Sequence, residues 1–341
     1  MKAAPVMRAL QQQGLQQTLV HTGQHYDVNM SDVFFRQLGM PAPDVNLQAG
    51  SGTQAQQTAA IMSRFEPVVT EGKPSLVVVY GDVNSTIAAA LVCVKLGIPV
   101  AHVEAGLRSF DRTMPEEINR VLTDQIAGLL FSPSADADRN LAREGIPADR
   151  VHLVGNVMID TLVRMLPEAR LPDVDLPPTY ILATLHRPSN VDDMPWFLRL
   201  LGAFNQLADC APVLFPVHPR TAKAINGSAN KFGNGRLRLM EPQSYLEFLA
   251  LQRRAALVIT DSGGIQEETT FLGVPCLTLR DTTERPITVE CGTNTVVGRN
   301  LDLLRETALR VLGGDKKLGT VPPLWDGHAA ERIAALIAKG I

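Results

Sequence analysis

The tightest constraint on this chain is an alternation that occurs twice: short β-branched runs separated by longer stretches of helical periodicity. Strand, crossover helix and parallel strand together bury both faces of a sheet, so the pattern reads as an α/β protein built on doubly wound parallel sheets. In the first half the expected strands are QTLVH (17–21), SLVVVY (75–80), IPVAHV (98–103), GLLFS (128–132) and RVHLVG (150–155). Helices are expected near 28–38, 54–71, 84–96 and 115–126. The alternation restarts after a proline-rich stretch at 166–178, with strands YILATL (180–185), PVLFPV (212–217), LRLM (237–240), ALVIT (256–260) and PCLTL (275–279). A chain of 341 residues suits two domains, since single cores rarely grow past roughly 250–300 residues. The division read here is 1–163 plus 328–341 for one domain and 164–327 for the other. The closing segment GHAAERIAALIAKG is an amphipathic helix that could pack on either.

A doubly wound domain ordinarily opens strand, glycine loop, helix. This chain opens directly on a helical stretch, MKAAPVMRALQQQG, so the first sheet is expected to lack its first strand. With strands about 4.8 Å apart, that loss leaves a gap in the sheet, and Met1 reads as an internal methionine of a longer natural chain. Lys and Arg number 32 against 35 Asp and Glu, a net charge of −3. That balance provides no field for nucleic acid or an anionic membrane, so any anion must be held by local groups. No apolar run approaches the roughly 20 residues of a membrane-spanning helix. Four cysteines without CxxC spacing read as reduced, buried thiols of a cytoplasmic protein.

Chemistry concentrates at strand ends, the edge where α/β folds bind ligands. Asp82 follows SLVVVYG, Glu104 ends PVAHVE, His186 ends ILATLH, and Asp261-Ser262-Gly263-Gly264 follows LVIT. Asp82 could simply cap the helix starting near Asn84. Glu104, set between an apolar strand and Ala105-Gly106, gains little from packing and is harder to explain structurally. Thr113-Met114-Pro115-Glu116 spells a capping box with proline in the first turn, which would not exclude catalysis by Glu116. Arg108 and Arg112 lie upstream and Asn119-Arg120 one turn on, the company an anionic substrate keeps. His102, inside a strand, reads as a satisfied core group.

The strongest local signal is TDSGGIQEE (260–268). Ser262, Gly263 and Gly264 between strand and helix let backbone N–H groups approach an anion, and the helix N-terminus adds partial positive charge. Glu268, four residues past Gly264, falls on the same helical face and could accept two vicinal hydroxyls, as a ribose offers. This is neither a G-x-G-x-x-G loop nor a Walker A loop. In RDTTERP (280–286), Arg285 could supply a bidentate phosphate contact or pair on the surface with Glu284 or Asp281. No metal-ligand spacing and no GxSxG elbow occur.

Taken in order, YGDVNST, HVEAGLRS, MPEEINR, GN at 155–156, HRPSNVDD, PVHP, EPQSYLEF, TDSGGIQEE, RDTTERP and GHAAERI resemble the motif set of the non-hydrolysing UDP-N-acetylglucosamine 2-epimerases, from Lys2 to the last helix. The resemblance implies two Rossmann-like domains in a GT-B-like arrangement with an interdomain cleft, and a last helix returning to the N-terminal domain. It implies catalytic roles for Asp82, Glu104, Glu116 and His186. It implies substrate contacts from Lys2, Arg108, Gln243, Phe248, Ser262, Gly263, Gly264, Glu268 and Arg285, with Gln243 and Phe248 near the uracil. Gln24, His25 and His218 resemble parts of a regulatory site, although QAGSGTQAQ lacks the arginine expected near it. Lys2 matches the lysine of the family's opening GTRPEAxK loop, whose preceding text does not occur here. The expected partners are a UDP-sugar and a second copy of the chain in a cytoplasmic homodimer, with no cofactor, metal, nucleic acid or membrane.

Inverting C2 of such a sugar means removing a very weakly acidic hydrogen. If the C1–UDP bond breaks first, positive charge at C1 acidifies the C2–H bond, so the expected route is anti elimination of UDP to a 2-acetamidoglucal followed by re-addition. The alternatives are a hydrolysing 2-epimerase, a 2-epimerase of a related diacetamido sugar, a GT-B glycosyltransferase, and a UDP-binding chain without turnover.

Overall fold

A computed structural model describes residues 1–23, 35, 37–217 and 236–340. The chain forms two compact units, Met1–Thr161 with Pro323–Ile341, and Leu162–Pro322. In the first unit lie β1 (Val20–His21), β2 (Val45–Asn46), β3 (Val77–Tyr80), β4 (Val100–Val103), β5 (Leu129–Ser132) and β6 (Val151–Leu153). The second holds β7 (Ile181–Thr184), β8 (Val213–Pro216), β9 (Leu237–Met240), β10 (Leu257–Thr260), β11 (Cys276–Thr278) and β12 (Asn294–Val296). Every pairing is parallel, with Val79 beside His102 in one sheet and Ile259 beside Ala183 in the other.

The second sheet runs β12-β11-β10-β7-β8-β9. Counted from its first strand, β7, this is the doubly wound order 3-2-1-4-5-6. The winding reverses between β7 and β10, the place where such sheets leave room for a ligand at the strand ends. One face is covered by the helices Met194–Leu207 and Leu301–Leu312, which bring Phe197, Leu200, Leu201, Phe204, Leu304 and Ala308 against Ile181, Phe215 and Ile259. In the first unit the strands fall into two sheets, β1-β2 and β3-β4-β5-β6. Among the described residues no strand bridges β1 to β3, as the helical opening of the sequence led us to expect.

Two strands were not foreseen. β2 has two residues and β12 three, and each ends its sheet, where a single neighbour asks for little hydrophobic pattern. β1 is shorter than expected for the same reason. The helix expected near 28–38 lies almost wholly outside the described residues. The cysteines differ in part from expectation: Cys93 and Cys276 are buried, but Cys291 is half-buried and Cys210 exposed. No helix among the described residues is long and apolar enough to cross a membrane.

The final helix, Ala329–Ala338, packs its Ala329, Ala330, Ile333 and Ala334 against Val6, Ala9 and Leu10 of the opening helix Ala3–Gln12. His328 does not cap it. The carboxylate of Asp160 does so instead, accepting from Ala329 N (3.1 Å) and Ala330 N (2.6 Å). Burial pushes the Asp160 pKa up, and those two N–H bonds only partly offset it. Replacing Asp160 with Ala is expected to leave two buried N–H groups unpaired and to lower stability by about 1–3 kcal/mol in a urea titration.

Candidate active site

The neighbouring strands β3 and β4 deliver Asp82 and Glu104 to one edge of the first unit's main sheet. Between them Gly81 takes a left-handed φ of +64°. A Cβ there would lie 2.7 Å from Lys2 Nζ and 3.3 Å from Glu104 Oε2, so a side chain would have to displace the tip of the lysine as well as adopt a left-handed backbone. Glu104 is buried, ion-paired with Lys2, and itself sits at φ +75°. A side-chain-bearing residue in that region costs about 1–3 kcal/mol and persists only where its surroundings enforce it. Here Glu104 N (3.0 Å) and Ala105 N (3.1 Å) both donate to Phe131 O. Gly106 N donates to Asp124 Oδ2 (3.0 Å), and Gly106 O accepts from Asn140 Nδ2 (2.9 Å).

The helix Pro115–Ile126 supplies the rest of this cluster. Its Arg120 pairs with Asp82 through one guanidinium nitrogen and with Glu117 through the other (2.7 Å), while Asn119 Nδ2 donates to Asp82 O (3.0 Å). Glu116 lies four residues before Arg120, hence on the same helical face. It is half-buried, and its side chain makes no hydrogen bond or ion pair among the described residues. The capping box expected from Thr113 and Glu116 does not form. Thr113 Oγ1 turns to Asp111 Oδ1 (2.6 Å), and Met114 takes the N-cap position without a side-chain bond. The next residue, Glu117, gathers the loop, accepting from Ser109 N, Ser109 Oγ and Phe110 N, each at 2.9 Å. A proline at the first helical position shifts the helix start by one residue and frees Glu116 from that duty.

In the second unit the strand ends at the winding reversal carry a different chemistry. Asp261, fully buried after β10, accepts from His186 N (3.1 Å), Arg187 N (3.0 Å) and Asn190 Nδ2 (3.0 Å). His186 Nδ1 lies 2.8 Å from its Oδ1. Burial alone would raise this carboxyl's pKa, but His186 first, then Asn190 and the Arg187 N–H, hold it below the usual carboxylate range. His186 is therefore no buried core histidine: its side chain is 60% exposed, with Nδ1 anchored on Asp261.

Ser262 is the N-cap of the helix Gly263–Leu272 and makes no capping bond of its own. Gly263 has no room for a side chain, since a Cβ would meet Arg285 Nη1 at 2.7 Å and Glu284 Oε1 at 2.8 Å. Arg285 is buried, not on the surface, and it pairs with Glu284 (2.6 Å) and with Glu267 (2.7 Å). Arg280 joins Glu284 at 2.7 Å. Glu268, also buried, accepts from Tyr245 Oη (2.9 Å). Burial, with the nearby Glu267 charge, raises the Glu268 pKa to about 7 against the hydrogen bonds that lower it. Tyr245 is pushed up in turn, mainly by its own burial.

Gln243 is half-buried, donating to Glu241 O (2.7 Å) with a buried Oε1 that has no hydrogen-bond partner. Phe248 packs partly buried against the cluster of Tyr180 and Leu251. Arg108, expected among the substrate contacts, is 1% exposed and turned inward. It forks onto Glu144 (2.7 and 2.6 Å) and reaches Leu107 O and Asp124 (2.7 Å each), so we assign it a structural part. Gln24, His25 and His218 lie outside the described residues. Sequence reasoning missed Glu117, Asp124, Tyr245 and Glu267. Glu117 and Glu267 each adjoin a residue that was singled out, and only packing tells which of two adjacent acids turns inward. Among the described residues no group of three or more His, Cys, Asp or Glu could hold a metal ion.

Two α/β units with parallel sheets, the second doubly wound, one presenting carboxylates at its strand ends and the other a helix N-terminus beside a buried arginine, define the class of α/β proteins whose ligands lie at strand ends. The chain belongs to the UDP-N-acetylglucosamine 2-epimerase family, whose sequence model matches residues 8–338. It is 42% identical to the UDP-N-acetylglucosamine 2-epimerase of Methanocaldococcus jannaschii, over 99% of this chain and 96% of the relative. It is 44% identical to the UDP-2,3-diacetamido-2,3-dideoxy-D-glucuronate 2-epimerase of Pseudomonas aeruginosa, with the same coverage. The crystal structure of the M. jannaschii enzyme in complex with UDP-GlcNAc and UDP superposes with a TM-score of 0.89 at 42% identity, covering 99% of this chain and 96% of that one.

Because the Glu268 pKa rises on folding, the native state holds an extra proton between the ordinary glutamate value and about 7, and stability falls as pH rises through that window. Replacing Glu268 with Gln should therefore raise stability by up to about 3 kcal/mol at pH 8 and by little at pH 4. Urea titrations of both proteins at the two pH values check this.

Proposed function

We propose that the protein interconverts UDP-N-acetylglucosamine and UDP-N-acetylmannosamine by inverting C2. The observation that carries the reading is that Glu104 Oε2 lies beside Gly81, the residue before Asp82, at adjacent strand ends in a chain of this family. Two acids held at adjacent strand ends by separate cations, Lys2 and Arg120, suit proton transfer to and from one carbon. Glu116, whose side chain has no hydrogen bond or ion pair among the described residues, is available as a third.

In the proposed sequence the C1–O bond breaks and its electron pair leaves with UDP. A carboxylate of the Asp82, Glu104 and Glu116 set takes the C2 proton, and the C2–H pair becomes the C1=C2 double bond of the glucal. A proton then returns to C2 on the opposite face while a UDP oxygen attacks C1. Negative charge on the departing diphosphate is met by the Ser262–Gly264 helix start and Arg285, with Glu268 accepting from the ribose and Gln243 and Phe248 beside the uracil. His186, oriented by Asp261, either holds a phosphate oxygen or gives it a proton. Lys2 is ion-paired with Glu104. A cytoplasmic homodimer belongs to the same reading, supported as to compartment by four cysteines without disulfides.

The 44% identity to the diacetamido-glucuronate 2-epimerase supports a second substrate for the same chemistry, a UDP-linked 2,3-diacetamido uronic acid. Supplying each nucleotide-sugar separately and following the anomeric protons by NMR decides between them. Release of free N-acetylmannosamine would instead identify a hydrolysing enzyme. Glu104→Gln and Glu116→Gln are each expected to lower turnover at least about 100-fold while UDP still binds by calorimetry; loss of UDP binding would make them ligand or structural groups. Run in D2O, epimerisation should place deuterium at C2, and product without label would end the elimination route.

A further inference from the structure

His102 lies inside β4, two residues before Glu104, and is fully buried. Its Nε2 is 2.7 Å from Gly81 O and its Nδ1 is 2.7 Å from Asp124 Oδ1. A carbonyl oxygen can only accept, so Nε2 carries a hydrogen. The second oxygen of Asp124 accepts from Gly106 N (3.0 Å) and pairs with Arg108 Nη1 (2.7 Å). Asp124, whose Oδ2 accepts from the Gly106 N–H and pairs with the Arg108 guanidinium, is held ionised; its Oδ1 can then only accept, so Nδ1 carries a hydrogen as well. Burial would raise the Asp124 pKa, yet the charge and hydrogen bond of His102, followed by those of Arg108, bring it below the ordinary value. The charged groups of the network are His102, Asp124, Arg108 and Glu144, two of each sign, so a buried imidazolium leaves no net charge uncompensated.

We propose that His102, protonated on both ring nitrogens, is the positioning residue that sets Asp82 and Glu104 in register. One ring N–H fixes the Gly81 carbonyl beside Asp82. The other acts through Asp124 on the Gly106 N–H, which closes the left-handed turn carrying Glu104. A neutral ring could serve only one of these two acceptors and would release the other turn. The effect on rate rests on the epimerase reading above, whereas the charge of the ring does not.

The test uses the full chain labelled with 15N-histidine, the His102 signals being assigned by their loss in His102→Asn. Both His102 ring nitrogens should appear protonated at neutral pH, and one unprotonated nitrogen overturns the proposal. In steady-state assays His102→Asn and Asp124→Asn should each lower kcat about 100-fold, the cost of a displacement of about 1 Å. KM and UDP affinity should stay within about twofold of the unchanged protein. Unchanged kcat in a variant that still binds UDP would overturn the proposal. If His102→Asn fails to fold, Asp124→Asn and the unmodified protein's spectrum, assigned by exclusion of the other six histidines, decide. Should the unmodified chain epimerise neither sugar, the activity reading fails separately. The backbone amide shifts of Asp82 and Gly106 in Asp124→Asn then decide the positioning: movement supports it, and unchanged shifts refute it.

Discussion

Keeping Glu104 in a left-handed turn at the end of β4 is the constraint around which the first unit is arranged. A carboxylate in the strand would be buried among valines. Turned out by a positive φ, it meets Lys2 and the backbone of Gly81 instead. The turn holds because its neighbours use their own obligatory groups on it: Phe131 O accepts twice, Asp124 accepts from Gly106 N, and Asn140 donates to Gly106 O. Gly106 must be glycine for the same reason, since a Cβ there would fall 2.6 Å from Ala137 O. Strand, turn, helix and ion pair thus serve a single placement.

The second unit fixes its charged groups around the winding reversal. Asp261 takes up the backbone N–H groups of His186 and Arg187 and so fixes the end of β7 against the end of β10, where the winding reverses. Arg285 is kept charged and rigid between Glu267 and Glu284. Glu268 stands next to them at a raised pKa, a buried acid whose hydroxyl partner in the protein is Tyr245. Buried charges paired in this way add little to stability, and their value lies in geometry.

Much of this could be read along the chain. Parallel-sheet strands are buried on both faces and announce themselves as apolar runs, so the long central strands were legible, while β2 and β12, with one neighbour each, were not. Two helix starts show reciprocal capping, Thr53 with Gln56 and Ser244 with Glu247, because a capping box needs only residues three apart. The same logic failed at Thr113-Met114-Pro115-Glu116, where the neighbouring Asp111 competed for Thr113. The direction of Arg108 was not legible either: a charge near a site in sequence has no stated direction until packing supplies Asp124 and Glu144.

By itself the sequence determined the fold class and the division into two α/β units, because hydrophobic period and glycine placement are local properties. Only the tertiary structure decided which polar groups are working surface and which are framework. Glu116 stands open while Glu117 ties a loop, and His186 is exposed while His102 is sealed between two acceptors. That choice depends on contacts such as Gly81 with His102 or His186 with Asp261, 21 and 75 residues apart. No local pattern encodes them, since they arise when neighbouring strands and the helices over them are packed.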